Sequence, residues 1–168
     1  MKRVAKFEKV SYEQFEAAWR DTFNKPTLLS KLQERYETIK TPERATKFSA
    51  GYDFRSPLDF TLKPGETIKI PTGIRCSMNN DWVLMIFPRS GLGFKYRVRL
   101  DNTVGIIDSD YYGSDNEGHI FVKLTNEGEK VLTVEQGEAF CQGIFLPYGI
   151  TEDDHVETSR NGGFGSTN

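Results

Sequence analysis

The chain has 168 residues, 37% hydrophobic and 27% charged, enough for one domain with a short appendage but not for two independent cores. Its 12 Phe and 7 Tyr argue against disorder, and no apolar run approaches the roughly 18 residues that a membrane span needs. A net charge of -2 argues against non-specific nucleic-acid binding but leaves room for a local basic pocket that takes a small anion. The basic start, MKRVAKFEKV, has no apolar stretch behind it, so no secretory signal is expected. Cys76 and Cys141 do not make a disulfide framework, and the reading is of reduced thiols in a cytoplasmic protein.

Residues 1–10 alternate weakly around Val4, Ala5 and Phe7, which predicts a strand. Ser11 with Gln14 predicts a capping box, and Tyr12, Phe15, Ala18 and Trp19 then recur at helical spacing. Asn24-Lys25-Pro26 stops that helix. A second helix is predicted from the stripe Leu28, Leu29, Leu32, Tyr36 and Ile39, ended by Pro42. Residues 11–40 therefore read as a helical hairpin. Beyond Pro42 the texture becomes that of strands. Phe60–Leu62, a Pro64-Gly65 turn and Thr67–Ile70 read as strand, turn and strand. Trp82–Phe87, His119–Leu124 and Ala139–Leu146 are apolar runs short enough to be buried strands. Gly and Pro punctuate them at short intervals, as in a compact all-β barrel or sandwich. No βαβ alternation supports a doubly wound fold, and no GxxxxGK[ST] loop is present.

Five short segments could carry chemistry. Ala50-Gly51-Tyr52-Asp53 places an acid beside a glycine, as many turns do. Pro88-Arg89-Ser90-Gly91-Leu92-Gly93 follows a buried strand, and its guanidinium, hydroxyl and backbone N–H groups can donate to phosphate oxygens. As a plain strand-ending loop it would merely expose an arginine. In Leu100–Tyr111 an apolar Gly105-Ile106-Ile107 leads into Asp108 and Asp110, like a hairpin arm with acids at its edge. A carboxylate held there by a rigid strand can orient and deprotonate a water. In Gly137–Gln142 the amide of Gln142 sits in an apolar run and needs a partner, most simply neighbouring backbone. Residues 160–168 combine Arg160, Phe164, Ser166 and Thr167 with glycines, the composition of a lid that orders on a nucleotide.

Together and in this order, AGYDF, PRSGLG, DNTVGIIDSDY, GEAFCQG and RNGGFGSTN resemble the five motifs of the trimeric deoxyuridine triphosphate nucleotidohydrolases, the dUTPases. The resemblance covers residues 44–168. It implies a distorted jelly-roll β-barrel (41–159) with an N-terminal strand and helical appendage (1–40) and a C-terminal lid (160–168). It also implies a homotrimer whose sites draw on more than one subunit, and Mg²⁺-assisted hydrolysis of dUTP to dUMP and pyrophosphate.

Residue by residue, the resemblance makes Asp108 the group that activates the attacking water at the α-phosphorus and contacts the sugar 3′-OH. Tyr111 would lie under the sugar and leave no room for a 2′-OH. Asn102 and the backbone of Gly105, Ile106 and Ile107 would mimic a pairing edge for uracil, rejecting cytosine by leaving groups unpaired. Arg89, Ser90 and Gly91 would hold phosphates from a neighbouring subunit, with Gln142 beside them. Arg160 would reach the γ-phosphate and Phe164 would stack on uracil, with Gly165 and Ser166 completing the lid. Asp53 would bind water of the Mg²⁺ shell rather than the ion.

The chain departs from the family pattern in three places. About five extra residues follow Tyr111 (Tyr112–His119), expected to lengthen a hairpin tip. Arg160 stands four places before Phe164 where the family pattern has five. The helical appendage is the third, and it could pack on the barrel or recruit a protein partner. A dCTP deaminase of the same fold is the alternative enzyme, but it needs a proton-shuttling glutamate, and none lies between Asp81 and Asn116. A regulatory role through the helices is the alternative of another class.

Overall fold

The computed structural model describes residues 1–24, 26–158, 160 and 162. Its elements are β1 (Ala5–Lys9), α1 (Tyr12–Phe23), α2 (Leu29–Thr38), β2 (Glu43–Arg44), β3 (Tyr52–Arg55), β4 (Phe60–Leu62), β5 (Thr67–Pro71) and β6 (Ile74–Met78). Then follow β7 (Trp82–Pro88), α3 (Ser90–Tyr96), β8 (Val98–Leu100), β9 (Gly105–Ile107), a 3₁₀ helix (Ser109–Gly113), β10 (Phe121–Asn126), β11 (Leu132–Val134) and β12 (Ala139–Pro147).

The chain is mostly β-sheet, as the pattern of short apolar runs requires. The described strands pair as β2-β3-β12-β7-β9, β5-β10-β8, β11-β4 and β1-β6. These are separate ladders, so the expected closed barrel is not formed by their hydrogen bonds. Most strands are too short to run from one ladder into the next, and β12 slips register between Ala139 and Cys141. Strands adjacent in sequence also part company. β4 and β5 meet at the Pro64-Gly65 turn, where Gly65 takes φ 82, yet β4 pairs with β11 and β5 with β10. In the same way β8 joins β10 while β9 joins β7, so the third segment is not a simple hairpin. The ladders enclose one core of residues such as Phe54, Ile70, Leu84, Val122, Leu124 and Phe140. Cys76 and Cys141 lie buried in it as free thiols.

The helices form as their spacing predicts. The Ser11 hydroxyl accepts from Gln14 N at 3.1 Å to start α1, and Asn24 ends it in the left-handed region at φ 42. Phe15, Trp19, Leu32 and Val10 make a second small core, which Ile39 and Leu58 join to the first. Two details of the second helix differ from expectation. Leu28 and Leu29, the N-cap and first residue of α2, are 67% and 59% exposed, so the buried stripe begins at Leu32. Helix α2 stops at Thr38, where Ile39 turns extended, and Pro42 lies beyond its end.

Candidate active site

Three of the five segments converge because β12 lies between β3 and β7. Gln142 pairs with Asp53 on one side and Phe87 on the other. Its amide donates to the Pro88 carbonyl at 3.1 Å, the backbone partner that a polar group in an apolar run needs. Gly51 leaves room for that amide, since a side chain there would collide with Gln142 Oε1. Arg89 follows directly, and its Nε stands 3.1 Å from Asp53 Oδ1. The segment read as a strand-ending loop is a short helix, with Arg89 as its N-cap and Ser90 and Gly91 in its first turn. The Leu92 N–H already bonds the Arg89 carbonyl, while the Ser90 and Gly91 N–H groups precede the first i→i−4 bond of the helix and can serve an anion beside the Arg89 guanidinium. Phe87, Arg89, Ser90, Phe94, Gln142 and Ile144 line a cavity of about 560 Å³ here.

The third segment builds a separate place. Gly105 and Ile107 are buried while Ile106 is 47% exposed, so the strand alternation turns Ile106 outward. Gly105 is packed against Ile86, where an added Cβ would meet the Ile86 side chain at 3.1 Å. Asn102 lies in the exposed turn before β9, where its carbonyl accepts from Val104 N. Asp108 is the extended N-cap of the 3₁₀ helix but its side chain makes no capping bond. Instead its Oδ2 stands 2.6 Å from the Arg160 guanidinium, whose Nε reaches Asp110 Oδ1 at 2.9 Å. Tyr111 is 4% exposed, with Arg160 over its ring. Burial pushes the Tyr111 phenol above its ordinary range, so it stays protonated. Ile106, Ile107, Asp108, Tyr111 and Arg160 together line a cleft of only about 20 Å³.

These two places are far apart within one chain. Leu84 pairs with Ile107 and Ile86 with Gly105, so Asp108 comes level with Val83 at the start of β7 while Arg89 follows its end. Six strand residues separate them by about 20 Å.

Residues 37–168 match the dUTPase family. The chain belongs to that family. The deoxyuridine 5′-triphosphate nucleotidohydrolase of Lactococcus lactis is 40% identical over 132 residues, covering 77% of this chain and 88% of that protein. The Desulfitobacterium hafniense enzyme of the same name (strain DSM 10664 / DCB-2) is 42% identical over 136 residues, 76% of this chain and 87% of its own. The crystal structure of dUTPase from Streptococcus mutans superposes with a TM-score of 0.63 at 30% identity, over 87% of this chain and 98% of that one.

Within this dUTPase-family chain the extra residues after Tyr111 do not lengthen a hairpin tip. They form the end of the 3₁₀ helix and a turn that folds back onto α1, where Glu117 bonds to Ser11. Asn116 and His119 bond the Tyr111 hydroxyl, Asp110 shares Arg160 with Asp108, and Glu117 ties the same turn to Ser11; none of the four was among the expected site residues. Asp110 could have been found from its place two residues after Asp108. The others could not, since their partners lie far away in sequence, as Ser11 and Gly73 do, or arise from the fold of the turn. Phe164, Gly165 and Ser166 lie outside the described residues. Among the described residues no group of three or more His, Cys, Asp or Glu could cage a metal ion. Asp53 is the carboxylate next to the phosphate-binding candidates.

Proposed function

We propose that this chain hydrolyses dUTP to dUMP and pyrophosphate, with Asp108 as the base that activates water. The observation that carries this reading is the position of Asp108. Strand β9 ends on it, its carboxylate is not spent on capping, and the Tyr111 ring stands beside it. A carboxylate so held can take a proton from water as the oxygen attacks the α-phosphorus. The bond from that phosphorus to the bridging oxygen breaks, and pyrophosphate leaves with both electrons. Tyr111 presents its ring, not its hydroxyl, to the sugar, which suits a wall that excludes a 2′-OH. The N–H and C=O groups of Gly105–Ile107 and the Asn102 amide would read uracil.

The β7 register supports a site shared between subunits. Arg89, Ser90, Gly91 and Gln142 stand about 20 Å along the strand from Asp108, too far to hold the phosphates of a nucleotide whose α-phosphorus is at Asp108 of the same chain. A homotrimer, with the ladders as the walls of a distorted jelly roll, lets a neighbour supply them. Mg²⁺ bound with the substrate would neutralise phosphate charge, with Asp53 holding one of its waters. Arg160 would leave Asp108 and Asp110 for the γ-phosphate, and Phe164, Gly165 and Ser166 would close over the base. On this reading residues 1–40 are the strand and appendage, 41–159 the catalytic body and 160–168 the lid. The two buried free thiols suit the cytoplasm. Leu28 and Leu29, exposed where α2 begins, are where a protein partner of the helices would make contact.

The test is pyrophosphate release from dUTP in Mg²⁺ by the purified chain, with dCTP, dTTP and UTP as controls. dUMP and pyrophosphate are expected from dUTP, with weak action on the others. Ammonia from dCTP would point to the deaminase, and dUDP plus phosphate would overturn attack at the α-phosphorus.

A further inference from the structure

The ring of Tyr111 faces the cleft, but its hydroxyl points into a network made by the extra residues. It donates to the His119 carbonyl at 2.6 Å and accepts from Asn116 Nδ2 at 2.9 Å. Asn116 Oδ1 accepts from Gly118 N at 3.2 Å and so closes the turn. Gly118 takes φ 69, and a Cβ there would lie 2.7 Å from the Tyr111 carbonyl, so the turn lies directly on the Tyr111 backbone.

The turn is fastened from outside. Glu117 accepts from Ser11 N at 2.7 Å and from the Ser11 hydroxyl at 2.5 Å. Ser11 is the N-cap of α1, and in a capping box the residue at Gln14 would return a bond to the Ser11 N–H. Here Glu117 takes that bond from 106 residues away. Burial raises the Glu117 carboxyl, but the bonds from Ser11 outweigh it and hold the group below its ordinary range. Tyr112 braces the other side. Arg75 lies 3.6 Å over its ring and donates to its carbonyl at 2.8 Å, while its hydroxyl donates to Glu8 at 2.6 Å.

We propose that Asn116 and Glu117 are positioning residues for Tyr111, and that Ser11 of the helical appendage completes the clamp, so that discrimination against ribonucleotides depends on the seam between the inserted turn and α1. The proposal rests on Tyr111 being the wall under the sugar. A wall excludes a 2′-OH only if it cannot retreat. Retreat here would strip a buried hydroxyl of two partners, which is unfavourable. Two of the three departures of this chain from the family pattern, the inserted turn and the helical appendage, thereby meet in one structure, where the turn holds Tyr111 and the appendage holds the turn.

The test is steady-state kinetics of the full chain with dUTP and UTP in Mg²⁺. Asn116→Asp keeps the acceptor for Gly118 N and replaces the donor to Tyr111 with a carboxylate oxygen. The preference for dUTP in kcat/KM should fall by about three- to tenfold, the worth of one such bond, mostly through KM. Glu117→Gln and Ser11→Ala should move it the same way, and Ser11→Thr, which keeps the hydroxyl, should restore it. In a Tyr111→Phe background Asn116→Asp should change the preference no further, because the atom it acts through is gone. A loss of equal size in both backgrounds would assign Asn116 to general stability and overturn the proposal. The proposal is likewise overturned if Tyr111→Ala admits UTP while the Asn116 and Glu117 variants discriminate as the wild type does. If Tyr111→Ala itself leaves UTP excluded, the reading of Tyr111 has failed and the clamp has no role to play in specificity. Should Asn116→Asp not fold, Glu117→Gln carries the same comparisons.

Discussion

Arg160 lies 2.6 Å from Asp108 and 2.9 Å from Asp110, so one guanidinium spans both carboxylates at the end of β9. Its side chain is 17% exposed, while the two acids are half exposed. The contact takes up Oδ2 of Asp108 and Oδ1 of Asp110. On the function proposed above, the substrate's phosphates would compete with these two carboxylates for Arg160.

Asp108→Asn keeps the shape of the side chain and removes the base. The turnover number should fall by at least about 100-fold, with dUTP binding largely kept. Stopped-time assays of pyrophosphate and isothermal titration with a non-hydrolysable analogue measure the two quantities. A kcat near that of the wild type would exclude Asp108 as the water-activating group.

Deleting residues 160–168 removes Arg160 from two half-exposed acids, an interaction worth about 1 kcal/mol or less. The melting temperature should therefore change little, while kcat for dUTP collapses with the loss of the lid. Scanning calorimetry and turnover on the same preparation check this. A truncated protein that hydrolyses dUTP at the full rate would make the tail a linker.

Arg89→Ala and Asp108→Asn subunits should each be inactive, and a co-refolded equal mixture should regain about a quarter of the wild-type rate if each site takes one group from each of two subunits. No recovery in mixed trimers would place both groups in one chain's site, and an active monomer in light scattering would remove the shared site altogether.

Burial pushes the His119 imidazole down from 6.5 to about 3, with Glu117 opposing the shift and Lys69 adding to it. Its Nε2 accepts from Gly73 N at 2.8 Å, which requires the neutral ring. As pH falls below 6.5 the unfolded chain takes up this proton and the folded chain does not, until about pH 3. Stability is therefore full above that window and is lost on acidification at about 1.4 kcal/mol per pH unit. Urea unfolding between pH 6.5 and 5 should show the slope. His119→Gln, whatever its own cost, should flatten it.

The sequence determined the elements whose signal is local. Helical spacing from Tyr12 to Trp19 and the apolar run Trp82–Phe87 are local patterns, and they folded as local patterns do. Gly105–Tyr111 stood out in the sequence as one continuous segment in which an apolar run leads into acids, but its neighbours in space, Leu84–Ile86 and Arg160, lie far away in sequence. What the sequence did not contain was pairing between distant strands. Whether β9 joins β8 or β7 depends on burial and register across the whole body, and that choice separates Asp108 from Arg89 along β7. The same holds for Glu117. A glutamate in an acidic stretch reads as solvated, and only the folded chain, by bringing the N-cap of α1 against the turn after Tyr111, supplies the two donors that give it a partner.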